Sequence, residues 1–160
     1  MERLESIYQF NKQLFEKNNI AFKQWQHEPI HDFATDEKVA KELGLTGTMS
    51  KSLFLKLKGG GFALLLTEKD KRLDRHAVKA VLGKRVSICS PEEMTEEIGC
   101  LPGAVCPIGL PEHVQIVVDQ EMINKTEILY TPGYPDRTIG FSGNDLPRLL
   151  DQLPNVVYLI

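Results

Sequence analysis

The sequence predicts a single α/β domain of the mixed, α+β-like kind, a mostly antiparallel sheet flanked by helices. Three observations carry that reading. Two alternating apolar segments, Ser50 to Lys58 and Gly61 to Thr67, are separated only by Gly59-Gly60, a strong hairpin signal. Segments of helical and of strand-like spacing follow one another as about five helices and seven strands, with several hairpins, unlike the strict alternation of a doubly wound parallel sheet. The chain has 160 residues, 42% of them apolar and 26% charged, which suits one domain with a substantial core.

Leu4, Ile7, Tyr8, Leu14 and Phe15 share one face of a helix from about Arg3 to Asn18, an extension over residues 1–19 packed on a domain of residues 20–160. Ile20, Phe22 and Trp25 mark a strand that ends where Pro29 forces an extended turn. The next helix is expected to be capped by Thr35, buried through Val39, Ala40 and Leu43, and stopped at Gly44. In the hairpin's first strand Leu53, Leu55 and Leu57 share one face and Lys56 and Lys58 the other. Lys51 lies on the side of the leucines, so it is expected to point inward or into a cleft. Helices over about 74–82 and 91–98, the second with Ser90 as cap and Pro91 at its first position, bracket a strand at 86–88. Strands at about 114–119, 127–131 and 137–141 follow, then a helix to Leu150 opened by a Ser142/Asp145 capping box, and a closing strand at 156–160.

No apolar run approaches the roughly 20 residues that span a bilayer, and the start MERLESIYQF lacks a signal peptide's pattern, so a cytoplasmic protein is expected. Cys89, Cys100 and Cys106 form no C-x-x-C pair, which fits a reducing compartment. His27 and His31 have metal-ligand spacing, but Pro29 between them argues against the helix that would align them, and no metal or other cofactor is expected. Between Lys51 and Arg85 ten basic residues stand against three acidic ones, a local +7, which leaves −10 for the rest of a chain whose total is −3. Such a stretch is either a positive face for a polyanion or a solvated hairpin and helix. Trp25 and the scattered aromatics read as core, not as a base-stacking platform.

Two features carry chemistry. An ammonium at the inner start of an apolar strand is costly to bury without an anion or carbonyl partner, unless it reaches back to solvent. That makes Lys51 the first candidate. The loop Pro102-Gly103-Ala104-Val105-Cys106-Pro107-Ile108-Gly109 is the second, because glycines admit close backbone approach and prolines fix its shape, leaving amides to cradle a carbonyl. Cys106 with a histidine is a competing thiol-nucleophile reading, against that of a small buried cysteine.

Lys51-Ser52-Leu53, Gly103-x-x-x-Pro107-Ile108-Gly109 some fifty residues later, and His27 ahead of a threonine-led helix resemble the YbaK and prolyl-tRNA synthetase editing (INS-like) domain family. The basic stretch Lys71-Arg72-Leu73 and the segment from Gly133 to Leu150 agree, so the resemblance runs from about residue 20 to the C-terminus. It implies a YbaK-like fold and trans-editing deacylation of mischarged aminoacyl-tRNA, of the tRNA-Pro type, by water attack assisted by the substrate's own ribose hydroxyl. Lys51 would then position the terminal adenosine. His27, Ser52, Gly103, Ala104, Val105, Cys106, Pro107 and Gly109 would bind the substrate, with Ala104 and Val105 narrowing a pocket that is richer in glycine elsewhere in the family. Lys69, Lys71, Arg72, Arg75 and Lys79 would contact tRNA. The implied partner is the acceptor end of an aminoacyl-tRNA, with an aminoacyl-tRNA synthetase as a second candidate and neither membrane nor DNA. The other reading is a non-catalytic module that binds tRNA ends or adenylated ligands in the same pocket.

Overall fold

A computed structural model describes residues 2–160. In chain order the elements are α1 (Glu2–Lys17), β1 (Phe22–Gln26), α2 (Phe33–Leu43), β2 (Thr48–Leu57), β3 (Phe62–Glu68), α3 (Arg75–Leu82), β4 (Val86–Ile88) and α4 (Pro91–Ile98). After the loop that contains Gly103 come β5 (Gln115–Val118), a 3-10 turn at Gln120–Asn124, β6 (Ile128–Tyr130), β7 (Arg137–Phe141), a second 3-10 turn at Gly143–Asp145, α5 (Leu146–Leu150) and β8 (Val157–Leu159). The strands run in the order β1-β7-β6-β2-β3-β5-β8, with β4 also on β2. Four pairings are antiparallel (β1/β7, β6/β7, β2/β3, β2/β4) and three parallel (β2/β6, β3/β5, β5/β8). The fold is thus the mixed α/β sheet that the sequence predicts.

Strand β2 organises this sheet. One edge pairs with β3 from Ser50 to Lys56. The opposite edge pairs with β6 only at Thr48 and Met49, and with β4 only from Leu55 to Leu57. Between those pairings, Ser50 to Leu53 have no strand neighbour on that edge among the described residues. A sheet that splays in this way leaves a gap floored by backbone and lined by side chains, the usual setting of a ligand site.

The centre of the sheet is covered on both faces. Phe54, Leu64 and Leu66 belong to the main core with Ile116, Ile128 and Ile139, while Leu55, Leu57, Ala63 and Leu65 form a second cluster with Val78 of α3. Helix α1 supplies Ile7, Leu14 and Phe15 to the main core. Burial of such side chains contributes roughly 1.5–3 kcal/mol each. Asn11 of α1 is fully buried: its Nδ2 donates to the carbonyls of Ile7 (2.8 Å) and Ile108 (3.0 Å), and its Oδ1 accepts from the Tyr130 hydroxyl (2.6 Å). One amide therefore ties α1 to the loop after α4 and to β6, and satisfies three groups that burial would otherwise leave unpaired.

Two caps differ from expectation. Helix α2 starts at Phe33 because Asp32, not Thr35, is its N-cap, and Asp32 Oδ1 accepts from the Thr35 amide at 2.8 Å. A carboxylate three residues before a free amide meets the capping geometry earlier than the hydroxyl does. The Ser142/Asp145 box is absent: Ser142 caps the 3-10 turn through the Asn144 amide, and Asp145 makes no side-chain cap. At Ser90 the capping box with Glu93 forms on both sides.

Candidate functional site

The gap along β2 opens into a cleft of about 240 Å³. Met49, Ser50, Lys51, Ser52 and Leu53 line it from β2, Phe33, Asp36, Val39 and Ala40 from α2, Leu129, Tyr130 and Thr138 from β6 and β7, and Gly103 and Val105 from the loop after α4. The structure thus brings together four residues singled out from the sequence, Lys51, Ser52, Gly103 and Val105. His27 stands just behind them. Its Nδ1–H donates to the Glu28 carbonyl at 2.7 Å, which in the neutral ring leaves Nε2 to accept from the hydroxyl of Thr138 at 2.8 Å.

Lys51 is half-buried, and its ammonium donates to the carbonyl of Lys71. Burial lowers its pKa from the ordinary lysine value, with Asp70 acting in the opposite sense. In the lining of the same cleft, Gly103 and Val105 carry amides that donate to no protein acceptor among the described residues. The glycine is required for a reason the sequence does not disclose: at φ 80° it packs against the main chain of His31, where a Cβ would overlap the carbonyl. Its close approach is to the protein's own backbone. Asp36, which the helix pattern shows only as an acid suited to the dipole, borders the cleft. Burial raises its carboxyl above the ordinary range, against the opposing pull of Lys69 and His27.

Four loop residues proposed for the site lie elsewhere. Ala104 and Cys106 are in the core at 1% and 0% exposure, so of the pair Ala104 and Val105 only Val105 narrows the cleft. Pro107 packs among Leu66, Ile108 and Ile116 in the interior, and Gly109 lies against Ile7 and Phe10 of α1. The periodicity of a loop is irregular, so its inward and outward residues are not readable from spacing. Burial pushes the Cys106 thiol well above its usual range, and Sγ donates to the Ile108 carbonyl at 3.1 Å. That corrects the nucleophile reading. Cys106→Ala is expected to leave any cleft activity within about twofold of wild type, and Cys106 is expected to resist iodoacetamide in the folded protein, checked by mass spectrometry before and after denaturation.

The basic stretch is partly neutralised. Lys56 pairs with Glu93 (3.0 Å), Lys69 with Glu37 (3.4 Å) and Asp36 (3.9 Å), and Lys71 with Asp119 (2.7 Å) and Glu121. The hydrogen bond to Asp119 and then that to Glu121 hold the Lys71 ammonium above its ordinary value. On Asp119 burial acts upward, and the hydrogen bonds from Lys71, the Glu121 amide and Thr67 outweigh it to keep the carboxyl low. Arg75 donates to the Val86 carbonyl at 2.8 Å. Lys69 is only 9% exposed. Of the five proposed tRNA contacts, Arg72 and Lys79 alone are exposed without a protein partner among the described residues.

The sequence pattern of the aminoacyl-tRNA editing domain matches residues 27–149, a span that contains the whole cleft. The chain belongs to that family. It is 28% identical over 108 residues to the multifunctional Ser/Thr-tRNA deacylase ProXp-y of Escherichia coli (strain K12), covering 64% of this chain and 65% of that protein. It is 36% identical over 87 residues to the proline–tRNA ligase of Bacillus licheniformis, covering 53% of this chain and 15% of that enzyme. The matched stretch spans less than two thirds of the length of either relative. The crystal structure of the hypothetical protein APE2540 superposes on the editing domain with a TM-score of 0.77 at 23% identity, over 92% of this chain and 96% of that one, a likeness of fold. No helix among the described residues of the editing domain is long and apolar enough to cross a membrane.

Proposed function

We propose that this editing domain is an aminoacyl-tRNA deacylase that acts in trans on mischarged tRNA, of the tRNA-Pro type. The observation that carries the reading is the unpaired stretch of β2, where Lys51 lines the same cleft as Gly103 and Val105, whose amides have no acceptor among the described residues. Family membership supplies the substrate class, and the names of the two relatives supply deacylation and the link to proline tRNA.

The chemistry needs orientation and a place for negative charge, not a protein nucleophile. The Gly103 and Val105 amides accept the task of donating to the ester carbonyl as it becomes an oxyanion, each good donor contributing roughly 2.7–4 kcal/mol in a dry site. Lys51 exchanges its Lys71 carbonyl for the ribose or phosphate oxygens of the terminal nucleotide. A water, oriented by the substrate's ribose hydroxyl, adds to the acyl carbon, the ester C–O bond breaks, and a proton passes to the departing ribose oxygen. The products are the free amino acid and uncharged tRNA. Thr138, held by His27, and Ser52 supply polar contacts within the cleft. Editing is needed because a single methylene in a synthetase pocket discriminates by only about 1–3 kcal/mol.

A panel of tRNAs bearing cognate and non-cognate amino acids tests this. Ester loss faster than the buffer rate for some mischarged tRNA-Pro supports it. Uniform decay at the buffer rate with tRNA still bound rejects it in favour of a binding module. For docking, Arg72→Ala and Lys79→Ala are each expected to weaken tRNA affinity and to reduce the slope of log affinity against log salt by about one, measured by filter binding, because each is an exposed cation without a protein partner among the described residues, and a phosphate it neutralises releases its counterion. Lys69→Ala is expected instead to lower stability, since it removes a buried side chain and unpairs the half-buried carboxylate of Asp36.

A further inference from the structure

We propose that Phe33 is a stacking platform for the purine base at the 3′ end of the bound nucleic acid. This deepens the deacylase reading and rests on it for the identity of the ligand. Of the seven phenylalanines, six are in the core or packed against it: Phe15, Phe54 and Phe141 are buried, and Phe10, Phe22 and Phe62 lie against the main cluster. Phe33 alone stands 58% exposed. It is also the one that borders the cleft. Of the large apolar side chains that stand exposed, among them Leu43, Ile88, Val156 and Leu159, Phe33 is the one at the cleft, so exposure and site coincide only here.

The ring is held rather than loose. The Lys69 ammonium lies 5.3 Å from its centroid, and the same group donates to the Phe33 carbonyl at 3.5 Å. Lys69 is itself fixed by Glu37 and Asp36, and its side chain is 7% exposed. A buried cation behind an exposed aromatic presents one π-face outward and occupies the other, an arrangement that suits a flat, polarisable partner. Lys69 therefore acts on the nucleic acid through Phe33 and not by touching phosphate, which gives this basic residue a task its burial permits. Lys51 lines the same cleft, so a nucleotide whose base lies on Phe33 has a cation available for its ribose and phosphate.

The test uses an RNA minihelix with 2-aminopurine as its 3′-terminal base, whose fluorescence falls on stacking. Wild-type protein is expected to quench it on titration, and Phe33→Ala to remove the quench and weaken binding about 5- to 150-fold. Phe33→Trp is expected to keep both, and Phe33→Leu, equally apolar but without a ring, to behave as alanine does. Thermal melts of all three variants show whether the fold is intact, which the exposure of the side chain favours. Phe33→Leu binding as tightly as wild type overturns the proposal. So does an unchanged quench in Phe33→Ala accompanied by an altered preference among aminoacyl groups, which would assign the ring to the amino acid. Quenching by a wild-type protein that hydrolyses no mischarged tRNA leaves the platform standing and removes the deacylase reading instead.

Discussion

Gly103→Ala is expected to lower the melting temperature by about 4–20 °C, the largest stability loss of any single substitution considered for this domain. Two costs add. A residue other than glycine at φ 80° is disfavoured by roughly 1–2 kcal/mol. The new methyl group would also overlap the carbonyl carbon and oxygen of His31 and lie 2.7 Å from its Cα, all main-chain atoms with no rotamer to escape into. Forcing apart two packed backbones costs about 1–3 kcal/mol more, and each kcal/mol is worth roughly 2–4 °C in a chain of this size. The comparison that isolates the steric part is Gly44→Ala: there φ is 66° but nothing lies within 4 Å of the added carbon. Equal losses at the two positions, by calorimetry or circular dichroism, would falsify the close-packing account. The displaced His31 main chain leads straight into Asp32, the cap of α2, so Gly103→Ala is expected to disturb the Phe33 and Asp36 wall of the cleft as well as its loop.

Gly103 also shows how far the sequence carries. Its presence in a proline-bounded loop marked it as a backbone of unusual shape, but not which backbone it approaches, because His31 is seventy-two positions away along the chain. The same division holds elsewhere. Helix α1, the Gly59-Gly60 hairpin and the Ser90 cap were legible, since periodicity, turn chemistry and capping are local. The charge of the 51–85 stretch was legible as a sum but not as a surface. Lys71 meets Asp119 across forty-eight residues and Lys69 meets acids of α2, pairings that only the β3/β5 register and the packing of α2 create. Cys106 looked like part of a pocket because glycine and proline flank it, yet Asn11 of α1 and the Ile108 carbonyl hold it inside the core. The gap along β2 had no sequence signature at all: it arises because β6 and β4 claim the two ends of one edge and leave the middle unpaired.

At that gap Lys51→Ala is expected to reduce deacylation of the best mischarged substrate by about 100- to 1,000-fold, the range for removing one preorganised electrostatic contact from a transition state. The fold is expected to survive. Burial lowers the pKa of Lys51, so between that lowered value and the ordinary lysine value the unfolded chain binds more protons than the folded one. The folded state therefore gains nothing from the charge, and removing it leaves the Lys71 carbonyl at a half-exposed edge where water replaces the ammonium. An activity loss without a stability loss separates a substrate contact from a structural one. Lys51→Arg sharpens the comparison, because it keeps the charge but spreads it over a planar fork too wide for a point contact in the unpaired stretch of β2; recovery of only part of the rate is expected. The ammonium must be charged to act, so the rate corrected for hydroxide attack is expected to fall as pH rises through the lowered lysine pKa, and Lys51→Ala to lack that fall. Single-turnover assays with saturating protein read this directly. A Lys51→Ala protein that melts as wild type does and hydrolyses mischarged tRNA at the wild-type rate would move the chemistry away from β2, leaving the Gly103 and Val105 amides without the cation that orients their substrate.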